Sequence, residues 1–169
     1  FTMSCLLKRN QSIPLSADPP TAAQPFKLWV DKDDDLLRLQ YNVNGVAQTQ
    51  TATATFTQTA GSGWFLFTLQ KQQNMLTVFM DGLEYCTFQA LDFPSLKTMV
   101  AWAMPGYFVC ELRVWETIRT PEQLKRFSRM WLPHSEFSGL TGYWHLFVTG
   151  KFNTGLSYEK VSRDGQTTE

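Results

Sequence analysis

Aspartates are concentrated in one short segment, and their spacing invites a metal-site interpretation. Asp31, Asp33 and Asp35 alternate along the chain, and carboxylate oxygens are the ligands that Ca²⁺ prefers. An EF-hand loop is excluded, because the sixth position has no glycine and the twelfth is Asn42 instead of glutamate. Two interpretations remain: a calcium site at these three aspartates, or the solvated tip of a β-hairpin, which is the commoner role of an acidic turn.

Three aromatic residues are candidates for ligand contact. Trp29 lies between the apolar Leu28 and Val30, and Trp102 lies between two alanines, out of phase with their apolar neighbours. Since successive strand side chains point to opposite faces, we expect both rings on the face away from the core. There they would stack on a sugar or anchor a protein, unless a helix, a tail or a partner covers them. The same alternatives apply to Tyr107.

Catalytic motifs are missing from the sequence. It contains no H-E-x-x-H, C-x-x-C or G-x-S-x-G run and no glycine-rich phosphate loop. The glutamates at the candidate positions, Glu84, Glu111, Glu116 and Glu122, are isolated from one another. Both histidines lie near the end of the chain, and no cysteine forms a recognisable nucleophile motif with them. We therefore predict that the protein is not an enzyme and has no cofactor, calcium being the one candidate.

Composition and net charge exclude further classes of protein. With 169 residues, 13 Phe and 6 Trp, the chain is long and apolar enough for one domain with a substantial core. Its net charge of zero and the lack of a basic stripe argue against nucleic-acid binding. No apolar run approaches the length of a membrane span. The chain begins at Phe1 in a strand-like segment, so we expect a mature fragment or an excised domain, and the lack of a signal peptide carries no information.

Three cysteines give an odd count, which leaves the redox state open. Cys5, Cys86 and Cys110 all lie in apolar, strand-like segments. Buried free thiols are the simpler interpretation. One disulfide with one free thiol is the alternative in a secreted protein, and the spacing does not decide between them.

The elements that must position these residues are mostly short strands. Alternating or continuous apolar patterns predict strands at Phe1–Lys8, Phe26–Val30, Leu36–Tyr41, Val46–Thr59, Trp64–Leu69, Met75–Met80, Leu83–Phe88, Lys97–Met104, Tyr107–Trp115 and Gly139–Phe147, with a further one around Leu156–Val161. Asn44-Gly45 and Asp81-Gly82 predict tight hairpin turns, the second of type I′. The strand from Val46 is rich in Thr and Gln, so we expect it to face solvent or to offer hydrogen bonds to a sugar.

One helix is predicted within residues 121–131. Thr120 is a suitable N-cap, Pro121 suits the first helical position, and Gln123 stands where a capping box needs it. Leu124, Phe127 and Trp131 follow on one apolar stripe, before Pro133 ends the helix.

The closing segment resembles that of laminin G-like, concanavalin A-like jelly-roll domains. The similar motifs are Glu111–Trp115, Thr120–Leu124 and Gly139–Phe147, and the Trp64 strand with Leu76–Gly82 is similar to the middle of the same family. The resemblance implies an all-β, antiparallel jelly-roll sandwich with one short helix. It also implies that the first strand lies beside the strand of Leu112 and Val114, which would make Cys5 and Cys110 neighbours. The paired-carboxylate strand motif of glycosidases related to this fold is absent here.

The order of the motifs departs from that of many relatives, in which the Gly-Leu-x-Gly-Tyr-Trp element opens the domain. We therefore expect one domain over residues 1–169, in which residues 139–169 form a permuted closing strand and a tail. The alternative is that this element begins a truncated following domain. A lone tryptophan-bearing strand would then lack a core to bury it, so we prefer the first arrangement.

The resemblance implies a non-catalytic recognition module that binds a glycan or a protein, within a longer chain at a cell or particle surface. Expected partners are therefore a glycan or protein ligand, with no nucleic acid and no membrane insertion, and an extracellular location. The alternative is an assembly domain that packs against other subunits of a fibre, coat or toxin.

Overall fold

The computed structural model describes residues 1–9, 26–43, 46–56, 63–89, 106–126, 132–144, 160–161 and 167–168. The strands are β1 (Thr2–Arg9), β2 (Phe26–Val30), β3 (Leu36–Val43), β4 (Val46–Thr55), β5 (Phe65–Gln72), β6 (Met75–Met80), β7 (Leu83–Gln89), β8 (Tyr107–Trp115), β9 (Leu140–Trp144), β10 (Lys160–Val161) and β11 (Thr167–Thr168). Helix α1 spans Pro121–Arg126, and a single 3₁₀ turn spans His134–Glu136.

These strands form two main antiparallel sheets. The large sheet has six strands in the order β7-β6-β5-β1-β8-β9, the small sheet has the order β2-β3-β4, and β10 pairs with β11. The predicted all-β, antiparallel sandwich with one short helix is confirmed. The predicted strand at Lys97–Met104 lies outside the described residues, as does the helix beyond Arg126. No helix among the described residues is long and apolar enough to cross a membrane.

The core between the two sheets follows from the period-2 alternation of their strands. Apolar side chains of the small sheet point inwards and meet apolar side chains of the large sheet. Those of the small sheet are Leu28, Val30, Leu37 and Leu39, and those of the large sheet are Phe65, Phe67, Leu69, Leu76 and Val78. Phe56, directly after β4, is fully buried. Its ring meets Phe65 edge to face at 5.9 Å and Tyr85 and Tyr107 at 5.6 Å each. This aromatic cluster fixes the sheets to each other at one end of the sandwich.

A second core lies on the outer side of the large sheet, where helix α1 covers it. Leu124 of the helix packs with Trp115, Leu6 and Leu66 from the sheet. The predicted capping box is present, since the Thr120 N–H donates to Gln123 Oε1 (3.0 Å) and the Gln123 N–H donates to Thr120 Oγ1 (3.3 Å). Trp115 therefore joins helix and sheet.

Strand β8 contains a bulge at Glu111. Val109 points into the core between the sheets, and so do Leu112 and Val114, although their spacing does not fit one alternation. The register against β1 shifts at this point, and Glu111 has a left-handed φ of 53°. An extra residue of this kind changes which side chains face inwards, so the bulge keeps both halves of β8 apolar on the same face.

Strands β1 and β8 are neighbours, as the family resemblance implied. Leu6 lies opposite Cys110 in their register. Cys5 belongs to the core between the sheets, whereas Cys110 packs against the core under the helix. Cys5 and Cys110 therefore lie on neighbouring strands but point to opposite faces of the sheet. All three cysteines are free thiols.

The predicted closing strand joins this same sandwich. Strand β9 pairs with β8, with Leu112 opposite Trp144 and Arg113 opposite Tyr143. The single-domain assignment over residues 1–169, with 139–169 as a permuted strand and tail, stays a prediction. The Asp81-Gly82 turn has φ values of 50° and 82°, so the type I′ prediction is confirmed.

One side of the sandwich is closed by side chains that link the edges of the two sheets. Gln50 of β4 donates from Nε2 to the carbonyl of Gln89 on β7, and its Oε1 accepts from the Gln89 N–H at 3.0 Å. The hydroxyl of Tyr85 donates to the carbonyl of Ala54. We call this set of contacts the β4–β7 seam.

Candidate functional site

The outer face of the small sheet brings polar and aromatic side chains together in two cross-strand rows. Lys27 lies opposite Gln40, which lies opposite Thr49; Trp29 lies opposite Arg38, which lies opposite Thr51. The residues between them, such as Leu28 and Leu39, point into the core. Directly opposed strand residues share a face. We call these six residues the outer polar face.

The Thr-rich strand supplies the accessible part of this face. Thr49 and Thr51 of β4 are exposed, and Arg38 and Gln40 of β3 are half-buried. Hydroxyl, amide and guanidinium groups are the hydrogen-bonding groups that a sugar surface requires. The sequence predicted a polar, solvent-facing β4, and the exposure of its threonines agrees with this.

Trp29 lies on the outer face, as its phase in the strand predicted, but it is not accessible there. Its side chain is 3% exposed, and its Nε1 has no hydrogen-bond partner among the described residues. The burial fits the alternative in which the ring is covered, and argues against direct ligand contact in this conformation. A ligand-binding role for Trp29 stays a prediction.

The acidic turn between β2 and β3 is held together by Arg38. The guanidinium donates to Asp31 Oδ2 and, at 2.5 Å, to Asp34 Oδ2. The other oxygen of each carboxylate accepts a backbone N–H, from Asp33 at 2.9 Å and from Leu36 at 3.1 Å. The turn is therefore ordered by one arginine that was not singled out from the sequence. Its position between the inward-pointing Leu37 and Leu39 was the available signal.

The proposed calcium ligands do not converge in this turn. Asp31 is buried against Arg38, whereas Asp33 is 69% exposed in its side chain and pairs with Lys32. Asp35 adopts a left-handed φ of 56°. Across the part of the chain that the structure describes, no three His, Cys, Asp or Glu side chains are placed to hold a metal ion. The calcium assignment to Asp31, Asp33 and Asp35 stays a prediction.

Tyr107 begins β8 and lies at the edge of the core between the sheets. Its ring meets Phe56 and Phe65, and the Arg9 guanidinium lies 5.6 Å from its centroid. Burial raises the pKa of its hydroxyl well above the usual value, and the nearby Asp35 charge adds to this. As a ligand residue Tyr107 stays a prediction. Trp102 lies outside the described residues.

A small cleft lies under helix α1, lined by Arg113, Trp115, Arg119 and Glu136 among others. Arg119 lies 5.4 Å from the Trp115 ring and donates to Glu136 Oε2 at 3.0 Å. The indole N–H of Trp115 donates to the carbonyl of Glu136 at 3.3 Å. These groups satisfy one another, so the cleft serves packing, and we assign it no ligand.

Beside the cleft, Glu111, Arg113 and Tyr143 form a buried polar cluster. Arg113 is 3% exposed and donates to Glu111 Oε2 at 3.0 Å. The Tyr143 hydroxyl donates to the same oxygen at 2.8 Å, and the guanidinium lies 4.9 Å from the tyrosine ring. Burial raises the pKa of Tyr143 to about 12. From the sequence, Glu111 was only an isolated glutamate. Of its two partners, Arg113 is two residues away, whereas Tyr143 is 32 residues away and comes next to it only through the pairing of β8 with β9.

Comparison with known proteins gives a structural likeness only. No protein-family model matches the chain, and no curated protein matches it. A structure from Bacteroides ovatus, of a protein with a proposed role in carbohydrate binding, superposes with a TM-score of 0.58 at 16% identity. The match covers 98% of this chain and 50% of that one, so this chain spans half the length of that protein. The likeness shows a shared fold.

Two further structures match less well. A mutant of HCR/D has 10% identity over 74% of this chain and 36% of that chain, with a TM-score of 0.49. The binding domain of botulinum neurotoxin serotype D has 10% identity over 72% of this chain and 30% of that chain, with a TM-score of 0.37. Scores this low carry no argument. The comparisons therefore establish the β-sandwich of this chain and leave its family open.

Proposed function

We propose that this chain is a non-catalytic recognition module of the laminin G-like, concanavalin A-like type, and that it binds a glycan through the outer polar face. The fold it shares with the Bacteroides ovatus protein, whose proposed role is carbohydrate binding, supports this. The module would act as one domain of a longer extracellular or particle-surface chain.

The observation that carries the proposal is the row formed by Trp29, Arg38 and Thr51. It places a guanidinium and a hydroxyl side by side on adjacent strands, next to an aromatic ring that is covered in this conformation. Arg38 is held by Asp31 and Asp34, so its position does not have to be fixed when a ligand arrives. A preorganised donor costs less entropy on binding than a mobile one.

Recognition would be shallow and would depend first on hydrogen bonds. Thr49, Thr51 and Gln40 offer donors and acceptors to sugar hydroxyls without any movement of the sheet. Stacking on Trp29 would follow only if the cover over its ring moves away. The Nε1 of that ring has no hydrogen-bond partner among the described residues, so it would then gain an acceptor, which offsets part of the cost of opening.

The geometry beside this face also supports a binding role over a catalytic one. Glycoside hydrolysis needs two carboxyl groups facing one ligand, one of which must exchange a proton. The carboxylates nearest the face, Asp31 and Asp34, both accept hydrogen bonds from Arg38 and from backbone N–H groups. Both carboxylates therefore have their oxygens engaged within the turn, where they do not face a common ligand.

A glycan array followed by calorimetric titration of the best hit tests the proposal. In the variant Gln40→Leu/Thr51→Val, two hydrogen-bonding side chains are replaced by apolar ones. Loss of two hydrogen bonds of roughly 1 kcal/mol each lowers affinity about tenfold or more. Gln72→Leu is the matched control, since Gln72 is exposed at the end of β5 on the other sheet. No glycan hit, or equal loss in the control, overturns the proposal.

An assembly role is the second candidate, and one observation favours it. The first four residues of β4, Val46–Thr49, are all exposed, so neither face of this part of the strand is buried, and Val46 is 59% exposed. A strand end of this kind suits packing against another subunit. Light scattering that shows a stable oligomer, lost in Val46→Asp, together with an empty glycan array, would favour assembly over glycan recognition.

A further inference from the structure

The hydrogen bonds of the acidic turn are centred on an arginine, Arg38. Each of Asp31 and Asp34 uses one oxygen for a backbone N–H and the other for the guanidinium of Arg38. We infer that Arg38 occupies the position that a divalent cation would take, and that the turn, and any recognition beside it, is independent of calcium.

The charge balance of the turn supports this inference. A divalent cation supplies two positive charges to a ring of carboxylates. Here Arg38 supplies one between Asp31 and Asp34, and Lys32 supplies another to Asp33, with its Nζ 2.6 Å from Oδ1. The side chain of Asp31 is only 5% exposed, so its carboxylate requires a partner in the folded protein. Two monovalent side chains thus give the charge of one metal ion.

The shape of the guanidinium explains why this residue can take that position. Its fork offers parallel N–H groups, so two of its nitrogens reach two different carboxylates at once. A lysine ammonium at the same place has one charged atom on a flexible stem and cannot bridge both in a fixed plane. The cross-strand pairs of Arg38 with Trp29 and Thr51 further restrict where its backbone lies.

Removal of the guanidinium should create the metal dependence that the native turn lacks. In Arg38→Met, Asp31 and Asp34 keep their backbone hydrogen bonds but lose their shared cation. A ligand that binds only the folded state raises its stability in proportion to the logarithm of its concentration. The melting temperature of Arg38→Met should therefore fall in EDTA and rise again with millimolar calcium. Arg38→Lys, which keeps one charge, should fall less and respond less to calcium.

The measurement is thermal unfolding of the native chain, Arg38→Met and Arg38→Lys by circular dichroism, each in EDTA and in calcium. We expect the native chain to melt at the same temperature in both. A calcium-dependent rise in the native chain overturns the inference, and so does an Arg38→Met variant that calcium leaves unchanged. If Arg38→Met is unfolded in EDTA, recovery of its β-sheet spectrum in calcium supports the inference, and no recovery refutes it. Glycan binding plays no part in this test, so its outcome is separate from that of the proposed function.

Discussion

The buried cluster of Glu111, Arg113 and Tyr143 allows a quantitative prediction. Arg113 is 3% exposed, so its charge depends on the Glu111 carboxylate, which accepts from the guanidinium and from the Tyr143 hydroxyl. In Glu111→Gln the side chain keeps its size and its carbonyl oxygen but loses its charge. The left-handed backbone at this position is equally available to Gln and Glu, so the change isolates the electrostatic contribution.

The magnitude follows from the burial of the two partners. Removing one partner of a fully buried ion pair costs about 3–5 kcal/mol of unfolding free energy. The Glu111 side chain is 17% exposed and its replacement keeps one acceptor, so we expect a smaller loss, about 2–3 kcal/mol. For a domain of this size each kcal/mol shifts the melting temperature by about 2–4 °C, which gives a decrease of about 4–12 °C.

A double-mutant cycle provides the assay. Glu111→Gln, Arg113→Met and the combined variant are compared by urea unfolding, with Glu116→Gln, an exposed glutamate, as the matched control. We expect the double variant to be more stable than the sum of the single losses predicts, by about 1–2 kcal/mol. The reasoning is refuted if Glu111→Gln melts within about 1 °C of Glu116→Gln, or if the two single losses are additive.

Two other predictions concern a glycine with a left-handed backbone and the buried thiol and phenol groups that lose a proton at alkaline pH. Gly139→Ala should lose about 1–3 kcal/mol, because φ is 72° there and a Cβ would lie 2.9 Å from Thr117; Gly63→Ala, with open space around it, should change little when both are unfolded in urea. Stability should also fall at alkaline pH. Burial raises the pKa of Cys110 from 9.0 to about 11 and those of Cys86 and Tyr143 to about 12, so the native state holds these protons more tightly than the unfolded chain. The urea midpoint should therefore stay constant below about pH 9 and decrease from there to about pH 12, and a flat profile across that window contradicts it.

Local signals in the sequence were sufficient for much of the fold. Asp81-Gly82 predicts its turn type because only residues that tolerate positive φ fit both central positions. The cap at Thr120 follows from a spacing of three residues, and both of its hydrogen bonds form. In each case the residues that decide the structure are neighbours in the chain.

The candidate site was less accessible to prediction, because its decisive contacts join strands. Trp29 was placed on the outer face from its phase in the strand, but burial on that face depends on what covers it, and no local pattern encodes this. In the sequence Arg38 has the pattern of an ordinary solvent-facing strand residue. Only the folded turn places the carboxylates of Asp31 and Asp34 next to its guanidinium. The inward orientation of Tyr107 depends on the bulge at Glu111, where a single extra residue changes the alternation.

Within the β4–β7 seam, the backbone amide of Gln89 can report when the two sheets separate. Gln89 ends a strand at the edge of the large sheet, where backbone amides usually exchange rapidly with solvent hydrogen. Here its N–H is bonded to Gln50, which belongs to the other sheet. That amide is protected only while the two layers stay in contact. Its exchange rate therefore reports on separation of the two layers at this edge.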